Sequence, residues 1–145
     1  TPHAHIPEII RLMTDHLTYV WAFAVEQTGQ EARIWKHNIW VKWKPILVFA
    51  KTPHSQRLTD TWVMDSVRGA GEDKRFHEWG QDVREASYWI EALTPPNGLV
   101  ADPFVGGGTI PAACKALGRR WLACDVNETA VETTRKRMGD TNGDR

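Results

Sequence analysis

The sequence predicts an α/β chain, with a mostly parallel sheet and an antiparallel hairpin at one edge. Three observations carry this. The second half alternates short apolar strand-like runs with helical periodicity, which is the βαβ pattern that requires a parallel sheet. A glycine cluster, Gly106-Gly107-Gly108, sits between the first such run and the helix after it. The first half holds consecutive apolar stretches separated by short polar connections, the pattern of a hairpin.

The elements follow in order. Residues 7–16 place Ile9, Ile10 and Met13, with Leu17 beyond, at helical spacing, and Pro7 suits a first turn. In residues 17–25, Tyr19, Trp21, Phe23 and Val25 alternate with Val20, Ala22 and Ala24; both sets are apolar, which predicts a strand buried on both faces. Gly29 marks a turn. Residues 33–41 and 45–51 read as two strands paired through a tight connection at 42–44. Residues 52–76 lose periodicity and read as a long surface loop, with a short strand at 61–65. Residues 82–93 form a helix with Val83, Ala86, Ile90 and Leu93 on one face, and Asp82 stands at its N-terminus, where a carboxylate suits the dipole. Pro95-Pro96-Asn97-Gly98 ends it. Residues 99–102 are a buried strand, Thr109 is a candidate cap for the helix that Gly118 stops, residues 121–125 are a strand, and Asn127 opens a helix to 138. The tail, 139–145, is polar.

Composition narrows the classes. The chain has 145 residues and a formal net charge of zero, which suits one packed domain and offers no bulk electrostatic signature of a nucleic-acid binder, so any basic surface must be local. Eight tryptophans are assigned mostly to core and sheet packing, with one or two available as a platform for an extruded base. Cys114 and Cys124 fall in a helix and a strand and read as two buried, reduced thiols. The histidines lack metal-ligand spacing, and no metal is expected. No apolar run is long enough to span a bilayer, and an intracellular location is expected.

The glycine turn lies where an open α/β sheet binds ligands, at the carboxyl end of a strand and ahead of a helix N-terminus. Asp125, at the end of the next strand, can accept hydrogen bonds from ribose hydroxyls. These features specify a nucleoside-containing cofactor. A dinucleotide fingerprint needs a third glycine where this chain has Pro111. Asp102 precedes the glycines; its carboxylate repels a pyrophosphate and favours a cationic group such as the ammonium or sulfonium end of S-adenosylmethionine.

At these residues the chain resembles the DNA N6-adenine and N4-cytosine methyltransferases. Asp102 to Thr109 is similar to their D-P-F-x-G-x-G-T cofactor motif. Ala112-Ala113, the run Leu117-Gly118-Arg119-Arg120-Trp121, Cys124-Asp125-Val126-Asn127 and Arg137 continue the pattern. His77-Glu78-Trp79-Gly80-Gln81 resembles the segment before that motif, although many members carry Lys-Pro where this chain has Gln81-Asp82. Trp43 to Phe49 resembles the strand after the catalytic motif in phage and plasmid members.

The resemblance implies a partial Rossmann-like, S-adenosylmethionine-dependent methyltransferase fold. It implies one domain over 1–145, with helix and strands at 1–51, a loop for target contact at 52–76, a cofactor-binding βαβ part at 77–138 and a tail. The order is that of the permuted group, whose Asp/Asn/Ser-Pro-Pro-aromatic catalytic motif comes first and is expected upstream of Thr1, on a preceding segment or a partner chain. Pro95-Pro96 precedes Asn97 and reads as a turn.

The implied cofactor residues are Asp102, Pro103, Phe104, Gly106, Gly108, Thr109, Asp125, Asn127 and Gln81. Asp102 would hold the amino-acid end of the cofactor, Phe104 and the glycines its wall and floor, Asp125 the ribose and Asn127 the adenine side. Lys36, Lys42 and Lys44 are candidates for DNA contact, since no acidic residue interrupts 32–59, and Arg68, Lys74 and Arg75 in the long loop are candidates for target contact. The expected partner is double-stranded DNA with a flipped base, adenine favoured over cytosine, in the cytoplasm of a prokaryotic or phage-infected cell. Two other functions fit the same elements: a non-catalytic S-adenosylmethionine- or DNA-binding module, and a nicotinamide-dependent oxidoreductase, against which Asp102 argues.

Overall fold

The computed structural model describes residues 2–27, 32–51, 57–69 and 82–139. It divides into two compact units, Thr1–Gly69 and Ala70–Arg145, each taken by itself.

The first unit begins with a short 3-10 turn and helix α1 (Ile6–Met13), with Pro7 in its first turn. Strand β1 (Thr18–Glu26) follows, then β2 (Ala32–Ile34), β3 (Ile39–Val41), β4 (Trp43–Ala50) and β5 (Ser66–Arg68). The main sheet has the order β4-β1-β5, antiparallel between β4 and β1 and parallel between β1 and β5. Two expectations are corrected here. The partner of β4 is β1, with Phe23 opposite Ile46 and Ala22 opposite Leu47. Residues 33–41 fold back on themselves instead, Ala32 opposite Val41 and Ile34 opposite Ile39. A 3-10 turn at Trp35–His37 and a left-handed Asn38 (φ 53°) reverse the chain there. Eight- and nine-residue apolar strands present more surface to each other than three-residue ones, so the long pair forms the sheet.

The short strand lies at Ser66–Arg68 and not at 61–65. Nor is β1 fully buried on both faces: Phe23 and Val25 are buried on one, while Ala22 and Ala24 on the other are half-buried.

The second unit contains α2 (Val83–Leu93), β6 (Leu99–Asp102), α3 (Thr109–Ala116), β7 (Arg120–Ala123) and α4 (Glu128–Met138). Asp82 caps α2, its carboxylate accepting from the Arg84 N–H at 2.8 Å. Strands β6 and β7 pair in parallel, from Leu99 opposite Arg120 to Asp102 opposite Ala123. Ile90, Ala113 and Cys114 form the buried centre, with Val83, Ala86, Val100, Ile110 and Leu117 packed on it. Arg119 donates to Thr94 O and Leu117 O, satisfying carbonyls at the ends of α2 and α3.

The predicted thiol pair divides. Cys114 is fully buried, whereas Cys124 follows the end of β7 and is exposed. The tryptophans are also corrected: Trp89 is buried, but Trp21, Trp35, Trp40, Trp43, Trp62 and Trp121 are all exposed. No helix among the described residues is long and apolar enough to cross a membrane.

Candidate functional site

The site grows out of the ends of two parallel strands. Past β6 the ladder continues irregularly: Cys124 N–H donates to Asp102 O, and Val105 N–H donates to Cys124 O, both at 3.0 Å. These bonds bring the glycine turn and the end of β7 side by side. The Asp102 carboxylate is half-buried and accepts from the Phe104 N–H at 3.1 Å, which folds Pro103 and Phe104 outward. Phe104 is left 82% exposed, an open aromatic face beside the turn.

Gly106 (φ 48°) and Gly108 (φ 74°) take left-handed backbone that L side chains rarely adopt. Gly108 then serves as the N-cap of α3, and Thr109 is the first helical residue; the expected Thr109 cap is not formed. Gly108 offers no side chain, so the helix start stays uncovered by a capping group.

Asp125 joins the two loops. Its Oδ2 accepts from the Gly106 N–H and its Oδ1 from the Asn127 N–H, each at 2.9 Å. Asn127 in turn caps α4, its side-chain oxygen accepting from Thr129 N–H at 2.9 Å. The structure therefore brings Asp102, Pro103, Phe104, Gly106, Gly108, Thr109, Asp125 and Asn127 to one end of β6 and β7. A carboxylate, an open aromatic ring and a glycine backbone with no Cβ to obstruct approach suit a nucleoside that carries a cationic group. Gln81 lies outside the described residues.

Two further residues hold the turn: Thr134, which a reading of the sequence misses, and Arg137, which it quotes only as part of the family pattern. Thr134 Oγ1 donates to Gly106 O at 3.1 Å, and Arg137 NH1 donates to Gly107 O at 2.6 Å, both from α4. Thr134 is 4% exposed. A buried threonine on an otherwise polar helix is the signal that marks it.

The basic candidates sit in the first unit. Lys36 is exposed in the turn between β2 and β3, Lys42 is exposed between β3 and β4, Lys44 is half-buried in β4, and Arg68 is exposed at the end of β5. The Arg33 guanidinium lies 4.0 Å from the Trp40 ring centre and 5.3 Å from that of Trp35, both exposed. The same unit carries an open depression of about 510 Å³ between Trp21, Phe23, Arg57, Asp60 and Trp62. Lys74 and Arg75 lie outside the described residues.

Comparison with known proteins places this geometry. The profile of the DNA methylase family of N6 and N4 methyltransferases matches residues 23–136. The type II methyltransferase M2.DpnII of Streptococcus pneumoniae is 29% identical over 89 residues, which are 57% of this chain and 33% of that protein. M.HpaI of Haemophilus parainfluenzae is 26% identical over 80 residues, 55% of this chain and 26% of that protein. The matches thus span about a quarter to a third of these relatives. Among solved structures, the M1.HpyAVI–SAM complex superposes with a TM-score of 0.71 at 18% identity, over 93% of this chain and 70% of that one. The cytosine-N4-specific PvuII DNA methyltransferase gives 0.68 at 16% identity, over 94% and 57%. The fold is that of these S-adenosylmethionine-dependent methyltransferases.

Proposed function

The chain belongs to the DNA methylase family, and we propose that it forms the cofactor-binding part of an S-adenosylmethionine-dependent DNA amino-methyltransferase, acting on adenine N6. The observation that carries this reading is the glycine turn set between two carboxylates, Asp102 before it and Asp125 bonded across it. The names of the relatives, type II methyltransferases and a SAM complex, supply the chemical class.

In this reading S-adenosylmethionine supplies a methyl group on a sulfonium. Asp102 holds the cationic amino-acid end of the cofactor, and Pro103 and Phe104 form a wall. Gly106, Gly108 and Thr109 form the floor, and Asp125 holds the ribose. Asn127 and Gln81 complete the surround. An exocyclic amine is a weak nucleophile because its lone pair is delocalised into the ring, so catalysis also needs groups that accept its hydrogens and grip the flipped base. This chain has no Pro-Pro-aromatic triplet to do so. In this reading those groups are not among the 145 residues. Lys36, Lys42, Lys44, Arg68, Lys74 and Arg75 meet the phosphates of duplex DNA. The setting is the cytoplasm of a bacterial or phage-infected cell.

Titration of the protein with S-adenosylmethionine and, separately, with NAD tests the reading. Saturable binding of the first alone is expected; NAD binding without S-adenosylmethionine binding would overturn it. Incubation of this chain alone with labelled cofactor and DNA is expected to transfer no methyl group. Robust transfer would place the catalytic groups within it.

A further inference from the structure

Helix α4 touches each of three successive glycines. Thr134 bonds the Gly106 carbonyl, Arg137 bonds the Gly107 carbonyl, and the Thr134 side chain lies against Gly108, where a Cβ would stand 2.9 Å from its hydroxyl. Ala130, Thr134 and Arg137 fall on one face of the helix by their spacing of four and three. Ala130 and Thr134 are buried there, at 6% and 4% exposure. A trans peptide is planar, with its N–H opposed to its C=O. Fixing the Gly106 carbonyl on Thr134 therefore turns the Gly107 N–H away from α4, and fixing the Gly107 carbonyl on Arg137 does the same for Gly108 N–H, which bonds Val105 O at 2.8 Å. On the other flank Asp125 holds the Gly106 N–H. The turn is thus gripped from both sides, although glycines alone would let it sample many shapes.

We infer that Thr134 and Arg137 are positioning residues for the cofactor site: they set the peptide planes of the glycine turn and touch no ligand themselves. The inference rests on the S-adenosylmethionine reading above for its ligand, but the state of the turn can be measured without one. The experiment compares wild type with Arg137→Met, Arg137→Lys, Thr134→Val and Thr134→Ser. It follows amide hydrogen exchange in the peptide covering 105–108 of the ligand-free protein, and S-adenosylmethionine affinity by calorimetry. Met and Val are expected to speed exchange at 105–108 while α2 and β6 stay protected. They are expected to weaken cofactor binding about three- to tenfold, the size of one net hydrogen bond. Lys and Ser, which keep a donor, are expected to restore most of both.

Unchanged exchange at 105–108 in Arg137→Met and Thr134→Val would overturn the inference whatever the ligand. So would a loss of affinity that Lys and Ser fail to restore while exchange rises across the whole unit, since that describes general loosening. If wild type binds no S-adenosylmethionine, the cofactor reading fails, and the exchange result alone decides whether α4 grips the turn.

Discussion

Replacing Gly108 by alanine tests the geometry of the turn most directly. Gly108 has φ +74°, and an added Cβ would lie 2.9 Å from Thr134 Oγ1, 3.1 Å from Cγ2 and 3.3 Å from its Cβ. Left-handed backbone costs alanine about 1–2 kcal/mol. The close approach adds a second cost, because Thr134 is buried on α4 and retreats only by lengthening its bond to Gly106 O. Overpacking of this kind typically costs about 1–3 kcal/mol, so Gly108→Ala is expected to destabilise the unit by about 2–5 kcal/mol in all. Gly118→Ala is the control. Its φ is +65°, but nothing lies within 4 Å of the added Cβ, so it carries the backbone cost alone. Urea unfolding followed by circular dichroism measures both. A third variant, Gly108→Ala with Thr134→Ala, removes the obstacle and should recover the steric part. Equal destabilisation by Gly108→Ala and Gly118→Ala would refute the claim that α4 presses on the turn.

Asp125→Ala should weaken S-adenosylmethionine binding by about 1–3 kcal/mol, the scale of a charge-assisted hydrogen bond, with calorimetry as the check; an unchanged dissociation constant removes Asp125 from the site. Neutralising Lys36, Lys42 and Lys44 to glutamine should make log affinity for duplex DNA less steep in log salt, by about 0.9 for each phosphate left without its cation. Fluorescence anisotropy measures this slope, and an unchanged value would clear this surface of any role with DNA. Cys124 is exposed, while the Cys114 thiol is fully buried and pushed up by that burial, with Arg119 lowering it and Asp102 raising it. A thiol reagent should therefore label Cys124 in the native protein and Cys114 only on unfolding. Because the folded Cys114 favours its protonated form, its contribution is intact below the ordinary thiol range and is lost as pH rises through and above it; an alkaline unfolding series that is flat there would contradict this. Asp82→Ala removes the cap of α2 and should cost about 1 kcal/mol in the same urea assay.

The second half of the chain is legible because its signals are local. Asp82 and Asn127 are capping side chains that act within two residues, and the structure places both at helix starts. The strand at Leu99–Asp102 is bounded by Gly98 and Pro103, and those neighbours mark its ends to the residue. The first half depends on pairing between distant residues, which local pattern does not encode. Residues 33–41 and β4 are both rich in aromatic and β-branched residues, so either could serve as the other's partner or pair elsewhere. Only the register of Phe23 with Ile46 decides it. β5 is three residues long and is a strand because β1 accepts it in parallel, through pairs such as Val25 with Val67. Its own sequence carries no period.

The candidate site divides along the same line. Asp102 and the glycines can be found because a tight turn with left-handed backbone restricts which residues fit, and that restriction is written in adjacent positions; Asp125 is found as the carboxylate just beyond the next strand. What holds the turn lies 28 and 30 residues further along the chain, on a helix whose sequence looks suited to solvent. Thr134 is informative only once it is known to be buried. A threonine with a satisfied hydroxyl is tolerated in an interior where an unsatisfied one costs about 1–3 kcal/mol, so its burial calls for an acceptor, and the Gly106 carbonyl is that acceptor. Arg137 belongs to the family pattern, but its position alone suggests only a basic residue in a last turn, where cations suit the helix dipole. Its actual partner is the carbonyl of a glycine in the turn. The same physics makes Asp125 ambiguous: a carboxylate that already accepts two backbone N–H groups has acceptor capacity left for a ribose, yet removing it also frees Gly106. Asp125→Asn retains one acceptor oxygen, so the gap in affinity between Asn and Ala at this position separates support of the turn from contact with the ligand.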